Sequence, residues 1–182
     1  MHYRTATFED WPKVKVLHLE VSRQKNGIAR WEDEVTDDYV QSFMKKSLDH
    51  GMMIVADHPD DPEKLIGEIH ASVPNIRVFK HLMTDLTIAV HPDFQGKKIG
   101  RTLFTIFLDE IATHRSDIGK VQLVTRESNV RAIKLYQSLG FLIEGRLEMQ
   151  IRTPDGNFEA DIPMGWINPN FEFDEERPIK LL

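Results

Sequence analysis

The chain has 182 residues, of which 41% are hydrophobic and none is cysteine. This length favours one domain with a core of ordinary size, and the lack of cysteine excludes structural disulfides and thiolate metal sites. The formal net charge of −6 argues against broad binding to a nucleic-acid backbone and is compatible with cationic partners.

The sequence gives no indication of a membrane span or of a signal peptide. No apolar run approaches the roughly 20 residues of a membrane span. The first residues, Met1-His2-Tyr3-Arg4, lack the apolar core of a signal peptide. We therefore expect a cytoplasmic protein without membrane contact.

Two amphipathic helices are predicted within the first fifty residues. The first has apolar residues at helical spacing from Val14 to Val21 and is expected to end near Asn26-Gly27, where the glycine would cap it. The second is expected to begin at the N-cap Thr36 and to end near Gly51.

A hairpin follows, because the hydrophobic pattern changes from helical spacing to strands at residue 52. The runs Met52–Ala56 and Leu65–Val73 form its two strands, joined by a proline- and aspartate-rich turn. Alternation in the second strand would point Glu68 and His70 from the same face.

The next strand leads into a basic, glycine-containing turn. Residues 74–83 show no clear period and are expected to form a loop before a strand that begins at Asp85 and stops before Pro92. The turn His91–Arg101 then opens a long amphipathic helix, whose start presents unpaired N–H groups and the positive end of the helix dipole to an anion. The P-loop and G-x-G-x-x-G patterns are both absent, so from the turn alone an ordinary strand-to-helix connection is an equal alternative.

The remaining chain predicts one more strand, a helix and a terminal set of strands. The strand is Val121–Thr125, and the helix runs from Asn129 to the stop signal Gly140. Three further strands are expected at Phe141–Ile143, Leu147–Arg152 and Phe158–Trp166, the last two joined by the turn 153–157.

Two segments resemble one protein family. Leu86–Gly100 closely resembles the acyl-CoA-binding motif [QR]-x-x-G-x-[GA] of the GNAT N-acetyltransferases, and Asn129–Phe141 is similar to the family's Asn-x-x-Ala-x-x-x-Tyr helix closed by Gly-Phe. One departure is Lys98, which stands where the family has the central glycine and would crowd a phosphate unless its side chain points outward.

The resemblance implies an α/β (α+β) GNAT fold in a single domain, residues 1–167, followed by a tail, residues 168–182. This fold has a central mixed, mostly antiparallel twisted sheet of about seven strands flanked by about four helices. It also implies acetyl-CoA as cosubstrate and no metal. Backbone amides from Gln95 to Arg101 would hold the CoA pyrophosphate, and the Ile88–Val90 strand would offer edge groups to the pantetheine arm. The residues so assigned to cofactor binding are Ile88, Val90, Gln95, Gly96, Lys97, Lys98, Ile99, Gly100, Arg101, Asn129 and Tyr136.

The resemblance implies a catalytic role for Tyr136, whose phenol would protonate the departing thiolate as a general acid. The alternative for Tyr136 is an aromatic core residue, and Asn129 could be an N-cap as well as a CoA contact. The candidates for the general base are Glu68, His70 and Asp85, each of which could instead be an ordinary strand residue.

The sequence thus predicts an N-acetyltransferase that moves an acetyl group from acetyl-CoA to a primary amine by direct attack in a ternary complex. The absence of cysteine removes the commonest nucleophile for a covalent intermediate. The acceptor is left open among a small-molecule amine, a polyamine, an amino acid and a protein N-terminus, as is a homodimer. The alternative is a catalytically weak or inactive GNAT-like module that binds acyl-CoA for regulation.

Overall fold

The computed structural model describes residues 1–24, 27–153 and 155–172. Within them, four α-helices pack on an eight-stranded mixed sheet, which confirms the expected fold with one strand more than the anticipated seven. The helices are α1 Trp11–Ser22, α2 Asp37–His50, α3 Ile99–His114 and α4 Val130–Ser138. The strands are β1 Tyr3–Thr5, β2 Gly51–Asp57, β3 Leu65–Ser72, β4 Leu82–Val90, β5 Lys120–Arg126, β6 Leu142–Ile143, β7 Leu147–Arg152 and β8 Phe158–Ile167.

The sheet has the order β1-β2-β3-β4-β5-β8-β6, and β7 also pairs with β8. The β4–β5 contact is parallel, whereas the other recorded strand pairs are antiparallel. Helices cover both faces, so β3 is buried along its whole length. No helix in the described ranges is long and apolar enough to cross a membrane.

Alternation along β3 from Gly67 onward sorts its side chains between two hydrophobic clusters, as the sequence predicts. Leu65, expected on the same face as Gly67, lies instead in the cluster under α1 and α2, next to a register shift in the β2–β3 pairing. Ile69 and Ala71 belong to the cluster under α3, and a Cβ on Gly67 would meet Leu103 of that helix. Glu68 points to the opposite face, where α1 and α2 pack. The hairpin of β2 and β3 is confirmed, and so is the cap of α2, since the Tyr39 amide donates to Thr36 Oγ1 at 3.2 Å.

Helix α1 ends four residues before Asn26, earlier than predicted. Gly27 does not cap it by a left-handed conformation; a Cβ there would stand 1.9 Å from the Val21 carbonyl oxygen. The glycine is needed because the chain folds back closely over the end of the helix. Asn26 itself lies outside the described residues, as do Pro154 of the predicted turn and residues 173–182 of the predicted tail.

Strand β4 begins at Leu82, so the last two residues of the expected loop are strand. Leu82 and Met83 pair with Lys120 and Val121 of β5, and this distant pairing leaves no local period to read. Asp85 therefore lies within the strand rather than at its start. Its φ of 56° and a register shift between β3 and β4 mark a β-bulge at this point.

Local contacts hold this bulge in place. The exposed Asp85 carboxylate forms an ion pair with Lys46 of α2 and accepts a hydrogen bond from Ser72 Oγ at 3.4 Å. Aspartate and asparagine adopt positive φ more readily than other residues with a side chain. Because a bulge bends its strand, it contributes to the separation of β4 from β5 beyond Met83.

We expect Asp85→Val to lower the free energy of unfolding by about 1–2 kcal/mol, because a β-branched residue is strained at positive φ. Asp85→Asn, the matched control, should stay within about 0.5 kcal/mol and keep the activity that the sequence predicts. Urea denaturation and activity assays of both variants measure this. Equal damage by both substitutions would contradict the bulge role, and loss of activity in a stable Asn variant would favour a base.

Candidate functional site

A cleft of about 860 Å³ opens where β4 and β5 separate. Their pairing is confined to Leu82–Lys120 and Met83–Val121, so the edge of β4 beyond Met83 faces the cleft without a β5 partner. Every residue assigned by resemblance to cofactor binding lines this cleft except Lys97. The Lys97 ammonium instead lies 4.6 Å from the centre of the Phe94 ring, in a cation–π contact.

The turn before α3 presents a run of free amides to the cleft. The first backbone bond at this helix start runs from the Thr102 amide to the Lys98 carbonyl at 3.0 Å, and the recorded backbone bonds give no acceptor to the amides from Gly96 to Arg101. Six consecutive N–H groups at a helix start, with the positive end of the dipole, form a site for a multiply charged anion.

Lys98 keeps the backbone conformation that a glycine would favour. Its φ is 65°, in the left-handed region, and its side chain is exposed. Gly96 also has a positive φ, 79°, with no atom within 4 Å of the place its Cβ would take. The cradle therefore depends on two left-handed residues, and at Lys98 the amide is retained although the residue differs from the family pattern.

Side-chain bonds join the two helices that border the cleft. Arg101 Nη2 donates to Ser138 Oγ at 2.7 Å and so ties the start of α3 to the end of α4. At the other end of α4, Asn129 Oδ1 accepts from the Ala132 amide at 3.2 Å, which confirms the N-cap. Asn129 also lines the cleft, so the cap leaves its proposed contact with CoA available.

Tyr136 connects the hydrophobic core to the cleft. Its ring packs 5.2 Å from Phe104 and 6.0 Å from Phe141, and its side chain is 8% exposed. Burial raises the pKa of the phenol to about 12, so the hydroxyl stays protonated at neutral pH. Tyr136 is thus an aromatic core residue, which is the alternative given above for its role. Its position on the cleft also allows the phenol to donate a proton.

Two of the three base candidates form a buried cluster with a residue of α1. Glu68 accepts from His18 Nε2 at 2.8 Å and from His70 Nδ1 at 2.9 Å, and Phe43 stacks on the His70 ring. Neither Glu68 nor His70 is among the residues that line the cleft. Their role as base stays a prediction.

This cluster also has the composition of a metal site, since its ligand-capable atoms lie within 4.8 Å of one another. The two hydrogen bonds already engage both carboxylate oxygens of Glu68. Burial raises the pKa of Glu68, but the charges and hydrogen bonds of His70 and His18 outweigh it and hold the pKa below its ordinary value of 4.5. We read the cluster as a buried hydrogen-bonded network, in which His18 Nδ1 has no partner in the described structure, and the expectation of no metal stays a prediction.

Two charged residues of the cleft wall, Arg126 and Asp161, are not predicted from the sequence. They face each other across the β5–β8 register. Asp161 Oδ1 and Arg126 Nε are both buried without a hydrogen-bond partner in the described structure. Burial raises the pKa of the Asp161 carboxyl. The sequence shows Asp161 as a charged residue between the apolar residues Ala160 and Ile162. It does not show that Arg126 is its neighbour across the sheet.

Glu68→Gln should lower the free energy of unfolding at neutral pH by about 3 kcal/mol, because it removes the carboxylate that two buried histidines contact. The depressed pKa means that the contribution of Glu68 is present above about pH 4.5 and is lost as the pH falls below it. The difference in the free energy of unfolding between parent and variant should therefore decrease at acidic pH. Urea unfolding at neutral and acidic pH tests this, with Glu63→Gln on the exposed β2–β3 turn as control.

Comparison with known proteins agrees with this geometry. The model of the acetyltransferase (GNAT) family matches residues 14–141. The ribosomal protein bS18 alanine N-acetyltransferase of Escherichia coli is 41% identical over 79 residues, which cover 43% of this chain and 52% of that protein. The L-amino acid N-acyltransferase MnaT of Escherichia coli is 34% identical over 82 residues, covering 44% of each chain.

A solved structure extends the likeness to the whole fold. The protein yncA of Salmonella typhimurium, determined with its cofactor acetyl-CoA, superposes with a TM-score of 0.80 at 18% identity and covers 96% of this chain and 98% of that one. At this identity the match shows the fold alone. The two curated relatives are matched over about half of their length or less. The family match, which spans most of the chain, shows that this protein belongs to the GNAT family of acetyltransferases.

Proposed function

We propose that the protein transfers an acetyl group from acetyl-CoA to a primary amine. The observation that carries the proposal is the cleft, in which the amides of residues 96–101, the free edge of β4 and the Tyr136 phenol come together. The amides can hold a pyrophosphate, and the free edge of β4 can pair with the amide groups of pantetheine. The Tyr136 phenol can donate a proton.

The protein groups present fit acetyl-CoA, which supplies an activated acetyl thioester when bound. Arg101 adds positive charge beside the free amides while its bond to Ser138 keeps the side chain in place. Ile88 and Val90 present the backbone of the β4 edge. The exposed Lys98 ammonium adds further attraction for phosphate from the rim of the cleft.

In the transfer step, the neutral amine attacks the thioester carbon, the carbon–sulfur bond breaks, and the leaving sulfur takes the proton of Tyr136. The amine nitrogen loses a proton as the amide forms, and that proton restores the phenol. The amine must first lose a proton, since an ammonium has no free electron pair. Glu34 and Asp161 are carboxyl groups that line the cleft. Glu34 is engaged locally, because its Oε2 accepts from the Trp31 amide at 2.9 Å.

The activities of the relatives support an amine acceptor. One relative acetylates an alanine of a ribosomal protein, and the other transfers acyl groups to L-amino acids. We propose the cytoplasm as the compartment and no nucleic-acid partner. A module that binds acyl-CoA without turnover is the competing outcome, and the transfer assay below decides between the two.

Tyr136→Phe should lower kcat by tenfold or more and leave acetyl-CoA affinity nearly unchanged, because only the proton donor is removed from a ring that stays packed. The measurement is CoA release from acetyl-CoA with a panel of amino acids, peptides, diamines and other amines, beside calorimetric titration with acetyl-CoA. An unchanged kcat in this variant would contradict the role of Tyr136 as general acid. Acetyl-CoA binding without transfer to any amine would favour the regulatory module, and no binding at millimolar concentration would overturn the proposal.

Gly96→Val should weaken acetyl-CoA binding about tenfold or more, because a β-branched residue at positive φ distorts the run of free amides. Gly156→Val is the matched control, since Gly156 also has a positive φ, 86°, and open space, but lies in the β7–β8 turn. Both variants should lose about 1–2 kcal/mol of stability. If the two lower acetyl-CoA affinity equally in calorimetry, the turn is not the phosphate cradle.

A further inference from the structure

Two opposite charges on the cleft wall each keep one buried atom without a hydrogen-bond partner in the described structure. Arg126 and Asp161 are directly opposed in the β5–β8 ladder, so their side chains leave the same face of the sheet. In the described part of the chain, the ion pair recorded for Arg126 is to Glu159, with a long separation of 3.5 Å, and none is recorded between Arg126 and Asp161.

Each unpartnered atom is costly as it stands. A buried donor or acceptor without a partner is destabilising, and more so where the group is charged. Arg126 Nε offers an unused donor and Asp161 Oδ1 an unused acceptor, and both residues line the cleft that carries the cradle and Tyr136. A ligand with an anion and a cation close together would satisfy both.

We propose that Arg126 and Asp161 form the acceptor subsite and that the acceptor is a free α-amino acid, bound as its zwitterion. Asp161 receives the ammonium group and Arg126 the carboxylate. This inference rests on the proposed acetyltransferase function and names the substrate class of the same cleft.

The dimensions agree with this assignment. Directly opposed residues of an antiparallel pair have Cα atoms about 4.5–5.5 Å apart, so the two side chains can converge on groups that share one carbon atom. Arginine also matches a carboxylate through two parallel hydrogen bonds, which a single amide oxygen cannot provide.

The charge of the cleft separates this acceptor from the others left open by the sequence. Arg126 is accompanied by Arg131 and Arg152 among the lining residues, and three arginines disfavour a polyamine. A protein N-terminus would present its ammonium to Asp161 but only a neutral amide to Arg126. The free carboxylate is therefore the group that the subsite would distinguish.

The side of the cleft opposite the cradle can take the amino-acid side chain. Val124 lies two residues before Arg126 on the same face of β5 and is 56% exposed. Trp31, from the α1–α2 connection, is also exposed and lines the cleft. Apolar acceptors such as leucine and methionine are therefore suitable first probes.

The test compares L-leucine and L-methionine with their amides and with leucyl-glycine, by kcat/KM of CoA release between about pH 7 and pH 9. In this range the amines of the amides and of the peptide titrate, whereas those of the free acids stay mostly protonated, so kcat/KM is compared per concentration of neutral amine. We expect the free acids to be preferred about tenfold or more over the amides. Arg126→Gln should reduce that preference to less than about twofold and leave acetyl-CoA affinity unchanged. Asp161→Asn should raise KM for acids and amides alike, because it removes the ammonium partner from both.

Arg146→Gln is the matched control, because Arg146 pairs with the exposed Glu127 and is not among the cleft residues. It should keep the parent preference. Amides or the peptide used as well as free acids by the parent protein would overturn the proposal, as would a preference unaffected by Arg126→Gln in a variant that still binds acetyl-CoA.

The parent comparison needs no variant, so a failure of Arg126→Gln to fold leaves the test intact. Transfer to amines without preference for acids refutes the subsite alone, whereas no transfer to any amine refutes the acetyltransferase function. If acetyl-CoA binds without turnover, calorimetric titration of leucine and its amide into the CoA complex replaces the kinetics. Equal or no binding of the two then overturns the subsite.

Discussion

The separation of β4 from β5 is the constraint on which the rest of the site depends. A continuous sheet would satisfy its edges and leave no room between α3 and α4. Here the parallel pairing is confined to Leu82 and Met83, and a β-bulge at Asp85 follows immediately. Because a bulge bends its strand, this irregularity favours both the free strand edge and the position of the amides at the start of α3.

Buried polar groups on the two sides of this gap differ in their position relative to the cleft. Under α1 and α2, both oxygens of Glu68 are satisfied by His18 and His70, although His18 Nδ1 has no partner in the described structure. On the β5–β8 side, Arg126 and Asp161 also keep unsatisfied atoms. Buried polar atoms without a partner cost stability. Arg126 and Asp161 differ from the Glu68 cluster because they line the cleft, where a ligand could complete them.

The sequence was sufficient for features whose cause is local. Helical spacing and the Thr36 cap located α2, and the order of strand, basic turn and helix located the cradle. It was insufficient where the cause lies elsewhere in the chain: the start of β4 depends on pairing with β5, and the early end of α1 on the close approach of Gly27. Arg126 and Asp161 are 35 positions apart and meet only through the β5–β8 register, which alternation cannot specify.

At Lys98 the motif depends on the backbone conformation rather than on the residue type. A glycine is favoured at this position because φ is positive, and a residue with a Cβ costs about 1–2 kcal/mol there. What the cradle requires from the position is an amide directed at the ligand, and lysine supplies it as well as glycine does. Its side chain is exposed and adds a charge at the rim rather than filling the cleft. The departure from the family pattern therefore exchanges backbone strain for electrostatic attraction, and it leaves the anion site intact.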